Sequence, residues 1–309
     1  MDTIAKIRQM AKARQKTIAL PEYQDQRTKE AARIIEQEGI ANVVLLSPDK
    51  VAPQDKERFI ETYYRMHQAK GVTPEISRAI FEDTLYCAAM MTREGAFDGF
   101  VAGAVHTTPD VGRASIRCLG VEERIGIACS CFIMVVPDCV YGDNGTFVFA
   151  DCGIVPDPSA RQLAAISVSA AELAAKVLGL VPRVALLSYS TRGSAKGKGV
   201  DKVTEALKLA RQMAPDILID GELQVDAAIV PEIAKIKYPD SPLGGNANVL
   251  IFPDLEAGNI SYKLTQRLGR ARALGPLLMG LTKPCSDLSR GCSTEDIVDC
   301  VAVTAIRSS

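Results

Sequence analysis

Short runs rich in Val, Ile and Leu alternate with helix-forming stretches along almost the whole chain, and that alternation leaves few folds open. The apolar runs fall at residues 17–21, 42–47, 99–103, 127–136, 146–151, 183–188, 217–220 and 248–252. They are nearly continuous in hydrophobicity rather than alternating, which is what strands covered on both faces require. Between them, residues 28–38, 74–93, 159–178, 202–213 and 256–270 read as helices, and residues 1–10 as an amphipathic helix. Gly39 follows the first of these as a C-cap. Strand, helix, strand in repetition predicts an α/β fold with parallel-rich sheets flanked by helices.

Length divides that fold. A chain of 309 residues exceeds one compact core and predicts two domains. The polar, Gly-containing segment Arg117 to Gly126 is the candidate first crossing between them. Ligands in open parallel sheets bind beyond the carboxyl ends of strands, so the loops 188–193, 253–258 and 283–291 are expected to line one cleft.

Charge excludes several classes. With a formal net charge of -1 and no cluster of Lys and Arg, the chain lacks a nucleic-acid footprint. It has no signal-peptide core and no apolar stretch long enough to span a bilayer, so a cytoplasmic location without a membrane partner is expected. Nine cysteines are an odd number and their spacing does not suit zinc, so thiols are expected rather than disulfides or a metal site.

The segment from Lys283 to Asp296 (KPCSDLSRGCSTED) concentrates phosphate-handling groups in one turn that feeds a helix. Arg290 can fork two hydrogen bonds onto a phosphate, Ser289 offers a hydroxyl, and Gly291 admits the backbone. Ser293 or Thr294 can cap the helix, whose N-terminal N–H groups favour an anion, and Asp296 falls in its first turn. A plain helix cap explains the segment by itself equally well. Three others accompany it: Ile251 to Lys263 (IFPDLEAGNISYK), Leu187 to Ala195 (LSYSTRGSA) and Ala104 to Arg113 (AVHTTPDVGR). In Ala104 to Arg113, Pro109 reads as the first helical residue, with Arg113 one turn later.

Together these four segments resemble the phosphate acetyltransferase (phosphotransacetylase) family, and the resemblance runs from Lys16 to the C-terminal helix. It implies an isocitrate/isopropylmalate dehydrogenase-like arrangement with the active-site cleft between two domains. Residues 1–124 with 279–309 would form domain I and carry the catalytic turn. Residues 125–278 would form an inserted domain II that carries the interface of a homodimer. The implied reaction is reversible transfer of an acetyl group between coenzyme A and inorganic phosphate, with coenzyme A as a substrate, no permanently bound cofactor and no metal. By the same resemblance Arg290 binds the phosphoryl group, Ser289 hydrogen-bonds the acyl centre and Asp296 takes the thiol proton. Arg113 matches a phosphate-binding Arg. The family's further cleft Arg aligns with His67, so either His67 replaces that cation or Arg65 reaches in. Cys139 matches a cysteine near the cleft.

Alternatives stand beside each assignment. Asp296 can serve only the helix dipole, and Arg113 can be an ordinary surface Arg. His106 suits a general base, but a hydrogen-bonded structural His is preferred. Cys139 or Cys292 could form an acyl-enzyme, but direct thiolate attack in a ternary complex is preferred. Ser188, Ser190, Thr191 and Gly193 either receive coenzyme A or merely turn the chain. Phosphate butyryltransferase is the nearest rival activity. A metal-dependent decarboxylating dehydrogenase is more distant, with Asp220, Glu222 and Asp226 as its acidic cluster. A ligand-binding protein without catalysis is a third reading.

Overall fold

The computed structural model describes residues 2–308. The chain forms two compact units, residues 1–120 with 281–309, and residues 121–280. In chain order the first unit contains α1 (Thr3–Lys12), β1 (Thr17–Leu20), α2 (Gln26–Glu38), β2 (Asn42–Leu45), α3 (Pro53–His67), α4 (Pro74–Ile80), α5 (Thr84–Arg93), β3 (Gly99–Ala102) and α6 (Thr108–Cys118). The second contains β4 (Cys129–Val135), the short α7 (Tyr141–Asn144), β5 (Thr146–Ala150), α8 (Ala160–Leu178), β6 (Arg183–Leu187), α9 (Lys198–Met213), β7 (Leu218–Leu223), α10 (Val225–Ile229), α11 (Pro231–Lys237), β8 (Val249–Ile251), α12 (Leu255–Leu268) and β9 (Arg272–Met279). The chain then returns to the first unit as β10 (Cys285–Asp287) and α13 (Thr294–Arg307).

In the first unit the strands run β2-β1-β3-β10, and every pairing is parallel. β10 joins late in sequence yet lies beside β3, with Cys285, Ser286 and Asp287 opposite Phe100, Val101 and Ala102. α13 supplies much of this unit's core, since every residue from Ile297 to Ile306 is buried. Arg8 of α1 secures that helix from outside, donating to the buried Asp299 at 2.7 Å and to Glu295. Asp25 caps α2 by accepting the Arg27 and Thr28 N–H groups, and Gly39 ends it in the left-handed region at φ 66°.

In the second unit the order is β9-β4-β5-β8-β6-β7. β4 is antiparallel to both β5 and β9, and the other three pairings are parallel. Phe132, Met134, Phe147, Phe149, Leu250 and Phe252 build its core, and Phe132 stacks on Tyr262 at a centroid distance of 4.0 Å.

The α/β class read from the apolar runs holds, with several differences, among them α3, α10 and α11, which were not read as helices. β9 and β10 were not among the apolar runs: Gly275-Pro276 reads as a breaker, and Ser286 and Asp287 read as turn residues although both are fully buried. The single helix expected over 74–93 is two, because Asp83 caps a new helix by accepting the Leu85 N–H. α6 starts at Thr108 with Thr107 as its cap, so Pro109 is the second helical residue rather than the first.

Candidate active site

Three loops of the first unit converge: the one after β1, the one after β3, and the turn between β10 and α13. The loop after β3 is held by one carboxylate. Glu22, almost entirely buried, accepts the consecutive N–H groups of Gly103, Ala104, Val105 and His106 at 2.7–3.0 Å, and its Oε1 meets His106 Nδ1 at 2.9 Å. Four successive amides make a concave anion site, and a side chain of the protein fills it. On its other side the His106 ring meets Asp83 at 3.3 Å. Hydrogen bonds to Asp83 and to Glu22 raise the imidazole pKa to about 10, against the opposing pull of burial. Burial pushes the Glu22 and Asp83 carboxyls up, but the His106 ring and backbone N–H groups outweigh it and hold both below the ordinary range. His106 is therefore a structural imidazolium tied between two carboxylates.

The turn itself is compact and open to solvent. Cys292 N–H donates to the Ser289 carbonyl at 2.8 Å, and Gly291 N–H reaches Ser289 Oγ at 3.3 Å. Ser293 caps α13 in a capping box with Asp296: Asp296 N–H donates to Ser293 Oγ, while Asp296 Oδ2 accepts the Ser293 N–H and hydroxyl, both at 2.8 Å. Asp296 Oδ1 has no hydrogen-bond partner among the described residues. Ser289 and Arg290 are exposed, and the Arg290 guanidinium makes no hydrogen bond or ion pair among the described residues.

Asp287, just upstream, is buried with no well-formed hydrogen bond to its carboxylate; the Thr108 hydroxyl and Leu288 N–H are its polar neighbours. Burial pushes it up to about 7. Gly103 lies against it at φ 112°, where an added Cβ would stand 2.3 Å from Asp287 Oδ1 and 2.5 Å from Leu288 N, so only glycine fits.

The remaining residues singled out in the sequence lie in varied settings. Arg113 is exposed on α6 and paired with Asp110 at 2.9 Å. His67 faces inward: it is buried, packs on Tyr63 with ring centroids 4.5 Å apart, and its Nε2 donates to the Arg117 carbonyl at 2.9 Å. Arg65 is exposed and pairs with Glu61.

In the second unit several donors of the loop 188–195 are spent internally. Glu222 accepts the Gly193 N–H at 2.7 Å and the Ser190 hydroxyl at 2.9 Å, and Ser188 Oγ accepts the Ser190 N–H. Thr191 is bonded to Gln224 and Ser194. Cys139 is half-buried against that unit's core. The acidic trio is likewise engaged, Asp220 with Arg211 and Ser241, Glu222 as above, and Asp226 with Lys237. All nine cysteines are unbridged, and burial pushes the Cys292 thiol up to about 11, which disfavours its thiolate.

Glu22, Asp25, Arg27, Asp83 and Asp287 escaped the sequence reading. Asp25 before a helix was a readable cap signal, but the partners of Arg27 and Glu22 lie too far along the chain for spacing to show them.

An exposed, unengaged guanidinium that follows Ser289 and precedes the N-terminus of α13, in a helix-flanked α/β fold, is an arrangement that can hold an anion. The family model for phosphate acetyl/butaryl transferases matches residues 2–305. The chain is 47% identical over 327 aligned positions to a phosphate acetyltransferase of Acetivibrio thermocellus, covering 100% of this chain and 98% of the relative. Among solved structures it is similar to a phosphotransacetylase from Streptococcus pyogenes, with a TM-score of 0.91 and 36% identity over 99% of this chain and 98% of that one. A 4-hydroxythreonine-4-phosphate dehydrogenase structure from Salmonella typhimurium shares the fold alone, at 14% identity, a TM-score of 0.53, and coverage of 95% of this chain and 99% of that one. The chain belongs to the phosphate acetyl/butaryl transferase family and is an acyltransferase.

Proposed function

We propose that this enzyme moves an acetyl group between coenzyme A and inorganic phosphate, and that the turn from Ser289 to Asp296 carries the chemistry. The observation that supports this most directly is the Arg290 guanidinium, which stands exposed and unpaired beside Ser289 in a chain matching the family model over residues 2–305. An exposed five-donor cation that follows a hydroxyl and precedes a helix N-terminus is free to bind an anion.

In this reading Asp296 Oδ1 takes the proton from the coenzyme A thiol. The thiolate attacks the acetyl phosphate carbonyl carbon, the C–O bond to the phosphoryl group breaks, and phosphate leaves with the electron pair onto Arg290. Ser289 donates to the carbonyl oxygen as charge builds there. The reverse reaction runs through the same groups, with phosphate oxygen as nucleophile and Asp296 returning the proton to the sulfur. Cys292, with its thiol pushed up to about 11, is poorly suited to form an acyl-enzyme, which favours direct attack. Arg113, held only by an exposed pair with Asp110, is the proposed second phosphate cation.

The test is Arg290→Ala with acetyl-CoA and phosphate, following thiol release. Loss of a bidentate contact should cost about 2–5 kcal/mol, roughly 30- to several-thousand-fold in kcat/KM. Arg290→Lys should restore only part, since an ammonium cannot reproduce the planar fork. Near-normal turnover by folded Arg290→Ala defeats the assignment, and faster turnover of butyryl-CoA than acetyl-CoA by the wild type would shift the substrate to the longer chain.

A further inference from the structure

Every N–H of the Arg27 guanidinium is already in use: two of the five go to main-chain carbonyls of the proposed catalytic turn and one to a carbonyl of the loop after β3. Nε donates to Asp25 Oδ1 at 3.1 Å and Nη2 to Asp25 Oδ2 at 2.8 Å, a two-pronged clamp that orients the plane. With that plane fixed, Nη2 also reaches the Ala104 carbonyl at 2.7 Å, and Nη1 reaches the carbonyls of Arg290 at 2.8 Å and Cys292 at 3.0 Å. A guanidinium offers five donors and no acceptor, so Arg27 has nothing left for a substrate.

The turn is short of restraints of its own. Between Ser289 and Cys292 it has one backbone hydrogen bond and one long contact from Gly291 N–H to Ser289 Oγ. The Arg290 side chain is held by nothing among the described residues. The carbonyls of Arg290 and Cys292 fix the peptide planes on either side of Gly291, and those planes set where the Arg290 Cα–Cβ bond points. Ala104 belongs to the loop that Glu22 holds rigid through four amides, so Arg27 references the turn to a fixed support.

We propose that Arg27 is a positioning residue that aims Arg290 and Ser289 through the main chain and never touches substrate. This rests on Arg290 as the phosphate ligand.

The test uses Arg27→Lys and Arg27→Gln in the full chain, on protein with wild-type circular dichroism at a temperature well below unfolding. Three readouts are taken together: kcat and KM for phosphate, hydrogen exchange of residues 288–293, and alkylation of Cys292 by iodoacetamide resolved on peptides by mass spectrometry. Cys139, in the other unit, serves as the internal reference. A lysine keeps the charge but cannot bond Asp25 and three carbonyls at once, so kcat/KM should fall roughly 10- to 100-fold, the scale of a misplacement near 1 Å. Exchange across 288–293 and Cys292 alkylation should rise at least tenfold while Cys139 alkylation stays unchanged. Should Arg27→Gln fail to fold, Arg27→Lys and Asp25→Asn, which removes the clamp alone, give the same readouts. Wild-type activity with unaltered exchange overturns the proposal. So does lost activity with unaltered exchange and alkylation, which would mean Arg27 acts on substrate directly. A wild type unable to form acetyl phosphate would sink the functional reading instead, and the exchange and alkylation data would then judge Arg27 alone.

Discussion

Neutralising His106 should make the stability of this protein depend on pH in a defined direction. The ring sits between Glu22 at 2.9 Å and Asp83 at 3.3 Å, and its pKa is raised from 6.5 to about 10. A raised pKa means the folded state binds the proton more tightly than the unfolded chain does. The resulting stabilisation is fully present below pH 6.5, declines as pH rises, and is gone above about 10. At ~1.4 kcal/mol for each pH unit the whole span is about 5 kcal/mol. The imidazole is 24% exposed, so solvent screens both pairs and about half of that, ~2–3 kcal/mol, is the expected change.

Glu22 and Asp83 do not confuse the reading. Their pKa values are lowered, so their stabilisation is present above the ordinary carboxylate range and is lost only as pH falls below it. The assay is urea unfolding of wild type and His106→Gln at pH 6, 8 and 9.5. Groups that do not touch the ring cancel in the difference, which should be largest at pH 6 and shrink steadily towards 9.5. A difference that is flat or grows with pH would refute the charged bridge and leave His106 as a neutral hydrogen-bonding ring.

Asp296→Asn should lower kcat roughly 10²- to 10³-fold while the helix cap loses no more than about 1 kcal/mol; an unchanged kcat with a lowered Tm would make the carboxylate purely structural. Gly103→Ala should destabilise the protein by about 3 kcal/mol or more, because its Cβ would meet Asp287 and the Leu288 backbone at a positive φ; a wild-type Tm would show that this contact yields cheaply. His67→Arg should cost about 2–3 kcal/mol, as it drives a charge into the site where the ring packs on Tyr63 and bonds the Arg117 carbonyl. Tighter phosphate binding by folded His67→Arg would instead restore His67 to the substrate site.

The parallel strands were legible because burial on both faces leaves an uninterrupted apolar signature, as in Phe100 and Val101 or Leu186 and Leu187. β10 was not, since a strand of three residues with two buried polar side chains has the composition of a turn. The turn that follows it was legible in part because its capping is local: Ser293 and Asp296, three residues apart, close a capping box. Its support was invisible for the opposite reason. Arg27 and the Arg290 carbonyl are 263 residues apart, and neither position announces the other. In the serine-rich loop 188–195 spacing counts donors but does not show that Glu222 already holds the Ser190 hydroxyl and the Gly193 N–H.

The return of the chain to its first unit also bears on how the protein is made. β1, β2 and β3 leave the ribosome early, yet the neighbour of β3 and the helix that fills their core come from residues 281–309, after all of residues 121–280. Until that final segment is synthesised, Gly103, Ala104 and Arg27 face no partner turn, and Ile18 and Phe100 lack their covering helix. Residues 121–280 are contiguous and face no such delay, so on the ribosome the second unit can fold ahead of the first, against the usual order from the N-terminus. The turn from Ser289 to Asp296 is completed last, and a chain that stalls before residue 281 exposes an unfinished parallel sheet to chaperones and proteases.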